Sequence, residues 1–282
     1  MATWRLFLPL LLLALVLRLA AGVWWQTRLP ADVPFGFPDS EAYWSLAEKT
    51  ARGEPYALNP DRRVFRTPGY PLLLAPLFTL AGGEPPVMAA RVLGALLGTA
   101  AVAGIALLAG LLFDRRAAAL AAAAGAVYPG AIAMSVFVLS EAAFCPLMVL
   151  QLIFCRLAWV QAESARRAGW SAAAGIAAGA ATLVRPSWLL FTPLAAGLAL
   201  LAPGPRARAA GIGVCMLAGL VVTMLPWWIR NARITGAFVP TTLQVGESLY
   251  DGLNPRAGGG SDMRFVEDFR RQLRADDAAS GG

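Results

Sequence analysis

Seven stretches approach the roughly 20 apolar residues an α-helix needs to cross the hydrocarbon core of a bilayer, and nothing else in the sequence constrains the fold as tightly. They cover residues 6–25, 86–113, 117–138, 142–161, 170–184, 188–202 and 209–229. With 58% hydrophobic and 15% charged residues in a chain of 282, and a mean hydropathy of +0.59, the composition is too apolar for a soluble domain of this length. The expected fold is all-α: a polytopic helical membrane protein of about seven transmembrane helices with a large first extracytoplasmic loop.

The segment at 71–81 is apolar but about half the length of a span, so it reads as interfacial or re-entrant, and this choice fixes the topology of everything after it. The first run could be a signal peptide ending at Ala20, Ala21 and Gly22. Arg18 interrupts it, however, and the rest of the chain stays membrane-like, which favours an uncleaved span in which Arg18 snorkels towards a headgroup. With the N-terminus in the cytoplasm, the pairs Arg115 and Arg116, Arg166 and Arg167, and Arg206 and Arg208 all fall on the cytoplasmic side, as the positive-inside rule requires. The division is then a membrane domain over 1–230, with residues 26–85 as its extracytoplasmic loop, and an extracytoplasmic tail over 231–282. Arg185-Pro186 divides two short runs that read as tilted or broken helices, and Gly175 and Gly179 give small-xxx-small spacing for close packing.

In the tail, 235–255 reads as strand or loop, and 262–275 as a charged helix. Phe265, Phe269 and Leu273 form a stripe there, either laid on the membrane surface or docked on protein outside this sequence.

There is no histidine, so imidazole bases, His triads and His-ligated metals are excluded. The net charge of +7 is almost wholly arginine, Lys49 being the sole lysine. Most arginines sit at the ends of apolar runs, which points to lipid headgroups and phosphates as partners and not to nucleic acid. Cys145, Cys155 and Cys215 lie inside apolar runs; the first two would be about 15 Å apart on one helix, too far to pair.

Polar chemistry concentrates in 37–71. Asp39-Ser40-Glu41 opens an expected helix over 40–52, where Asp39 serves as N-cap and Glu41 lies in the first turn. The same two acids are equally placed for acid–base work or cation binding, and both readings hold together. Arg62, Arg63 and Arg66 precede a rigid Thr-Pro-Gly-Tyr-Pro turn. The first two read as headgroup anchors; Arg66, next to the turn, is the better phosphate ligand. Glu141, Arg185 and Arg230 each have a plain reading as helix-start or interfacial residues beside Trp188, Trp227 and Trp228. The expected topology nonetheless gathers all of these on the outer side and leaves the midplane nearly free of charge, unlike an ion-coupled transporter.

The order of these patches resembles the GT-C superfamily of membrane glycosyltransferases, in the branch of protein mannosyltransferases and bacterial aminoarabinose transferases. The resemblance is carried by Asp39-Ser40-Glu41 with Tyr43, Arg66-Thr67-Pro68-Gly69-Tyr70-Pro71, Ser140-Glu141, Arg185-Pro186, Pro226-Trp227-Trp228-Ile229-Arg230-Asn231 and Gly252-Leu253-Asn254-Pro255. It implies an inverting enzyme of a bacterial inner or plasma membrane. Such an enzyme moves a sugar from a polyprenyl-phosphate donor to a glycan, lipid or protein acceptor at the outer face. It further implies Asp39 and Glu41 as catalytic, Arg66, Arg185 and Arg230 on the donor phosphate, and Tyr43, Tyr70 and Glu141 in support. No cofactor is implied beyond the divalent metal some relatives use. Family members run longer, which leaves a truncated or split product open; the competing reading is a non-catalytic carrier or scaffold for polyprenyl lipids.

Overall fold

A computed structural model of the chain describes residues 4–272 apart from 256, 261, 267 and 270. In chain order the helices are α1 (Trp4–Arg28), α2 (Pro38–Ala51), α3 (Gly69–Ala81), α4 (Val87–Leu112), α5 (Arg115–Val127), α6 (Pro129–Val136), α7 (Glu141–Val160), α8 (Ser164–Val184), α9 (Phe191–Ala199), α10 (Arg206–Thr235) and α11 (Gln244–Leu253). A 3-10 turn, Pro186–Trp188, joins α8 to α9, and none of the described residues forms a strand. Phe7–Arg28 of α1, together with α4, α7 and α10, is long and apolar enough to cross a bilayer, and α5 with α6 makes a fifth span if the bent pair is taken as one. Of the other two expected spans, α8 is 21 residues long but diluted with glycine, alanine and serine, and Pro186–Ala199 is short. The chain is an all-α integral membrane protein.

The segment expected as one helix over 117–138 is bent by 56° between α5 and α6. Proline has no N–H to donate and disfavours helical backbone in the residue before it. At Pro129 this orphans the Gly125 carbonyl one turn back and turns Tyr128 extended, with φ −66° and ψ 115°. Arg18 supplies the missing donors. Its Nη2 donates to Gly125 O at 3.0 Å, its Nη1 to Ala126 O at 3.4 Å and its Nε to Ser135 Oγ at 3.2 Å. Arg91 of α4 does the same for the end of α6, donating to Val136 O at 2.7 Å while also holding Gln26 and Pro34 O. Helix C-termini carry partial negative charge, so a buried guanidinium there has both hydrogen-bond and electrostatic partners. Arg18 is therefore not a snorkelling residue: it is 1% exposed, at the heart of the bundle.

α8 packs between α7 and α10. The Gly175 and Gly179 spacing works as expected, since a Cβ on Gly175 would lie 2.0 Å from Met216 O of α10; the two backbones meet where no side chain intervenes. α3 has 13 residues, too few to cross. It lies against α2 through Tyr70, Leu74 and Phe78 on one side and Tyr43, Trp44 and Ala47 on the other.

The tail differs from expectation. Gln244–Leu253 is a helix, not strand or loop, and Phe265 and Phe269 pack on Tyr250 of that helix with ring centroids 4.6 and 5.5 Å away. The two rings thus meet a helix of this same chain, which neither expectation named; Leu273 lies outside the described residues.

Candidate active site

The site is assembled by a stitch. Near its end α10 carries Trp227-Trp228-Ile229-Arg230-Asn231, and four of these five side chains reach out to loops. Trp227 Nε1 donates to Thr241 O at 2.7 Å, Trp228 Nε1 to Pro240 O at 2.8 Å, and Asn231 Nδ2 to Val239 O at 3.2 Å. These bonds fold the tail back over the bundle. Arg230 reaches the other way: its Nη2 donates to Tyr56 O at 2.5 Å and Arg63 O at 3.0 Å, and its guanidinium lies over the rings of Tyr56 and Trp227. The first loop and the tail then meet directly, Leu243 N donating to Val64 O at 2.9 Å. Between them lies a cavity of about 930 Å³, opened by Asp39, Tyr43, Arg66, Glu141 and Arg185 and walled by 238–246 with Ser248 and Leu249 of the tail.

Asp39 sits in the first turn of α2, which starts two residues earlier than an Asp39 cap would need. Pro38 is suited to the first helical position, Phe37 is the extended cap residue, and no side chain caps this end. Freed from capping, the Asp39 carboxylate accepts a hydrogen bond from Arg66 Nη2 and forms an ion pair with it. Tyr43, one turn along α2 and buried, puts its ring 5.2 Å from the Arg66 guanidinium carbon and meets Tyr70 edge-on. The close approach that brings this loop to α8 depends on Gly69, where a Cβ would stand 2.6 Å from Leu183 C.

Facing this pair across the cavity is a second one: Arg185 Nη1 binds Glu141 Oε1 at 2.5 Å. Arg185 is where α8 stops, because Pro186 drives it to an extended conformation (φ −137°, ψ 104°), and Glu141 starts α7. Both pairs are half-open to solvent, with Asp39 57% and Arg185 40% exposed, whereas Arg66 is 13% exposed. The four charges balance. The remaining lining is apolar at Leu139, Val184, Leu189, Leu190 and Phe238, and neutral polar at Thr241, Thr242, Gln244 and Ser248.

Of the eight residues expected at the site, Asp39, Tyr43, Arg66, Glu141 and Arg185 line the cavity, and Tyr70 lies directly beneath Tyr43. Glu41 does not line it. It is two residues past Asp39 on α2, so it faces another way and is exposed. Arg230 holds the cavity's frame from behind and is not among the residues lining it. Burial pushes the phenols of Tyr56 and Tyr70 well above their ordinary value, so both remain protonated and neither can act as a base. The tail wall was missed by sequence reasoning; its signal was Val245, Leu249 and Leu253, spaced four apart as on one helix face.

A hard divalent cation takes six or more oxygen ligands. Among the described residues no three His, Cys, Asp or Glu side chains converge, and the two carboxylates of the cavity already have arginine partners. The donor set does not fit a resident metal.

A family model for dolichyl-phosphate-mannose-protein mannosyltransferase matches residues 66–229, more than half of the chain. Two solved structures from Archaeoglobus fulgidus share the fold. One is an oligosaccharyltransferase in the apo form (TM-score 0.68, 19% identity, 95% of this chain and 36% of that one). The other is the oligosaccharyltransferase AglB in complex with an inhibitory peptide and a dolichol-phosphate (TM-score 0.65, 17% identity, 96% of this chain and 37% of that one). The chain thus spans little more than a third of the length of these two structures. No match was found among curated protein sequences. The family match begins at the arginine that holds Asp39, takes in both members of the Glu141–Arg185 pair and ends within the stitch on α10, and on it the chain belongs to the dolichyl-phosphate-mannose-protein mannosyltransferase family, within the GT-C superfamily of membrane glycosyltransferases.

Proposed function

We propose that the chain transfers a glycosyl group, with inversion, from a polyprenyl-phosphate donor to an acceptor at the outer face of a bacterial plasma membrane. The observation that carries this is a single cavity holding a carboxylate, Asp39, opposite a partly exposed guanidinium, Arg185, with apolar walls between. The AglB structure, which shares the fold, is a complex with dolichol-phosphate, in keeping with a polyprenyl-phosphate donor for this chain. Apolar Leu189, Leu190 and Phe238 suit the first isoprene units, and the neutral hydroxyl and amide wall suits a sugar.

In the proposed reaction Asp39 takes the proton of the acceptor's O–H or N–H as that atom bonds to the anomeric carbon. The bond from anomeric carbon to phosphate oxygen breaks on the opposite face, and its electron pair leaves on polyprenyl phosphate. Arg66 fixes the Asp39 carboxylate by its ion pair. Arg185 uses only Nη1 on Glu141, which leaves the rest of its fork for the phosphate as negative charge builds there.

Sugar transfer by the purified chain from a polyprenyl-phosphate sugar tests the reading. Asp39→Asn keeps the size of the side chain and removes proton acceptance, so turnover should fall about 100-fold or more with donor binding little changed. Near-parent transfer by Asp39→Asn would hand the base role to Glu141. Donor binding by the parent without any transfer would make the chain a polyprenyl-lipid carrier instead.

A further inference from the structure

At the opposite end of the bundle a second cavity, about 340 Å³, opens between α1, α4 and α5. Phe7 and Leu11 form one wall, Ala106, Gly110 and Leu111 the floor, and Arg115 the mouth. It exists because α4 and α5 are faced here with alanine and glycine; a Cβ on Gly110 would stand 3.4 Å from that of Ala118. The volume is far below what a helix some 10 Å across would occupy, so neither a further span nor a second copy seats in it, whereas an extended hydrocarbon chain does.

The mouth is cationic. Arg115 and Arg116 are exposed and have no carboxylate partner among the described residues. The adjacent acid, Asp114, is engaged in accepting from Ala117 N at 2.8 Å. Arg156 of α7 adds a third guanidinium on the same side, its Nε donating to Leu111 O at 3.3 Å. Three arginines and one aspartate thus lie at this end of the bundle, and Arg115 itself lines the apolar groove. We infer that this groove is a binding site for one anionic phospholipid of the leaflet facing away from the Asp39 cavity, with an acyl chain between α1 and α4 and the headgroup phosphate on the forks of Arg115 and Arg116.

Native mass spectrometry of the full chain in detergent, offered equal amounts of phosphatidylglycerol and phosphatidylcholine with the same acyl chains, tests this. Phosphatidylglycerol should be retained at least tenfold over phosphatidylcholine. The double change Arg115→Gln with Arg116→Gln should erase that preference, and Ala103→Phe, which fills the groove from the partly exposed face of α4, should lower retention of both lipids. Glycerophosphoglycerol, which has the headgroup and no chains, should not displace the lipid. Equal retention of the two lipids by the parent, a preference that survives the double arginine change, undiminished retention by Ala103→Phe, displacement by the chain-free headgroup, or a lipid-free dimer would each overturn the assignment.

Discussion

Arg66 and Arg185 both face a carboxylate, but their surroundings divide their work. Arg66 is clamped between the rings of Tyr43 and Phe65, is 13% exposed, and carries a buried Nε with no partner in the protein. Such a side chain is fixed in place and suits holding Asp39. Arg185 is 40% exposed at a helix break and can turn towards a ligand. A hydrogen bond to a charged group contributes about 1.5–3 kcal/mol, on the order of tenfold or more in affinity. Arg185→Ala should therefore raise the donor KM by roughly tenfold or more, and Arg185→Lys by less, since lysine keeps the charge and loses the fork. Arg66→Lys should instead lower kcat with the donor KM little moved. Steady-state kinetics over a donor titration separates the two, and the reverse pattern would put the phosphate on Arg66, where the sequence alone had placed it. A guanidinium beside a rigid turn looks the same in sequence whether it faces a phosphate or a carboxylate 27 positions away.

Among the elements, the buried arginines hold the break that sequence reading passed over. Arg18→Met keeps the length of the side chain and leaves the Gly125 and Ala126 carbonyls without donors. An unsatisfied buried acceptor costs about 1–3 kcal/mol. Thermal unfolding in detergent should show Arg18→Met destabilised on that scale, and an unchanged melting temperature would mean that the carbonyls find other donors. The apolar runs at 86–113 and 142–161 matched α4 and α7 to within a residue, because length and hydropathy are local properties. Arg185-Pro186 as a break was legible for the same reason. The break at Pro129 had a local signal too, Tyr-Pro-Gly, which the strongly apolar flanks outweighed. The partner of Arg18 had none, since it lies 107 and 108 residues further along the chain. In the site, the patches 37–71, Glu141 and Arg185 were readable from their charges; which acid meets which arginine, and that Glu41 turns away, is decided by helix phase and by packing.

At the scale of the whole molecule, the two cavities lie at opposite ends of the helices, and the proposed reaction requires the Asp39 end to face outwards. With Cys145, Cys155 and Cys215 replaced, a single cysteine at Asp32, exposed in the first loop, should react with an impermeant maleimide in intact cells. One at Arg116, exposed at the other end, should react only after the cells are opened. Labelling of Arg116→Cys and protection of Asp32→Cys would invert the topology and remove the proposed reaction with it.

The stitch on α10 bears on how the protein is made. Arg230 and the carbonyls it clasps at Tyr56 and Arg63 are 174 and 167 residues apart in sequence. At a synthesis rate of about 5–20 residues per second, the first loop leaves the ribosome on the order of ten seconds or more before its clasp does. Throughout that interval α2 and α3 can pack on each other, but Arg63, Val64 and the backbone around Tyr56 have nothing to close against. The cavity around Asp39 therefore closes only after the chain has been made past Trp227 and Leu243, and a ribosome that stalls before Trp227 leaves a membrane-inserted bundle with its acid and its arginine in place and no walls around them.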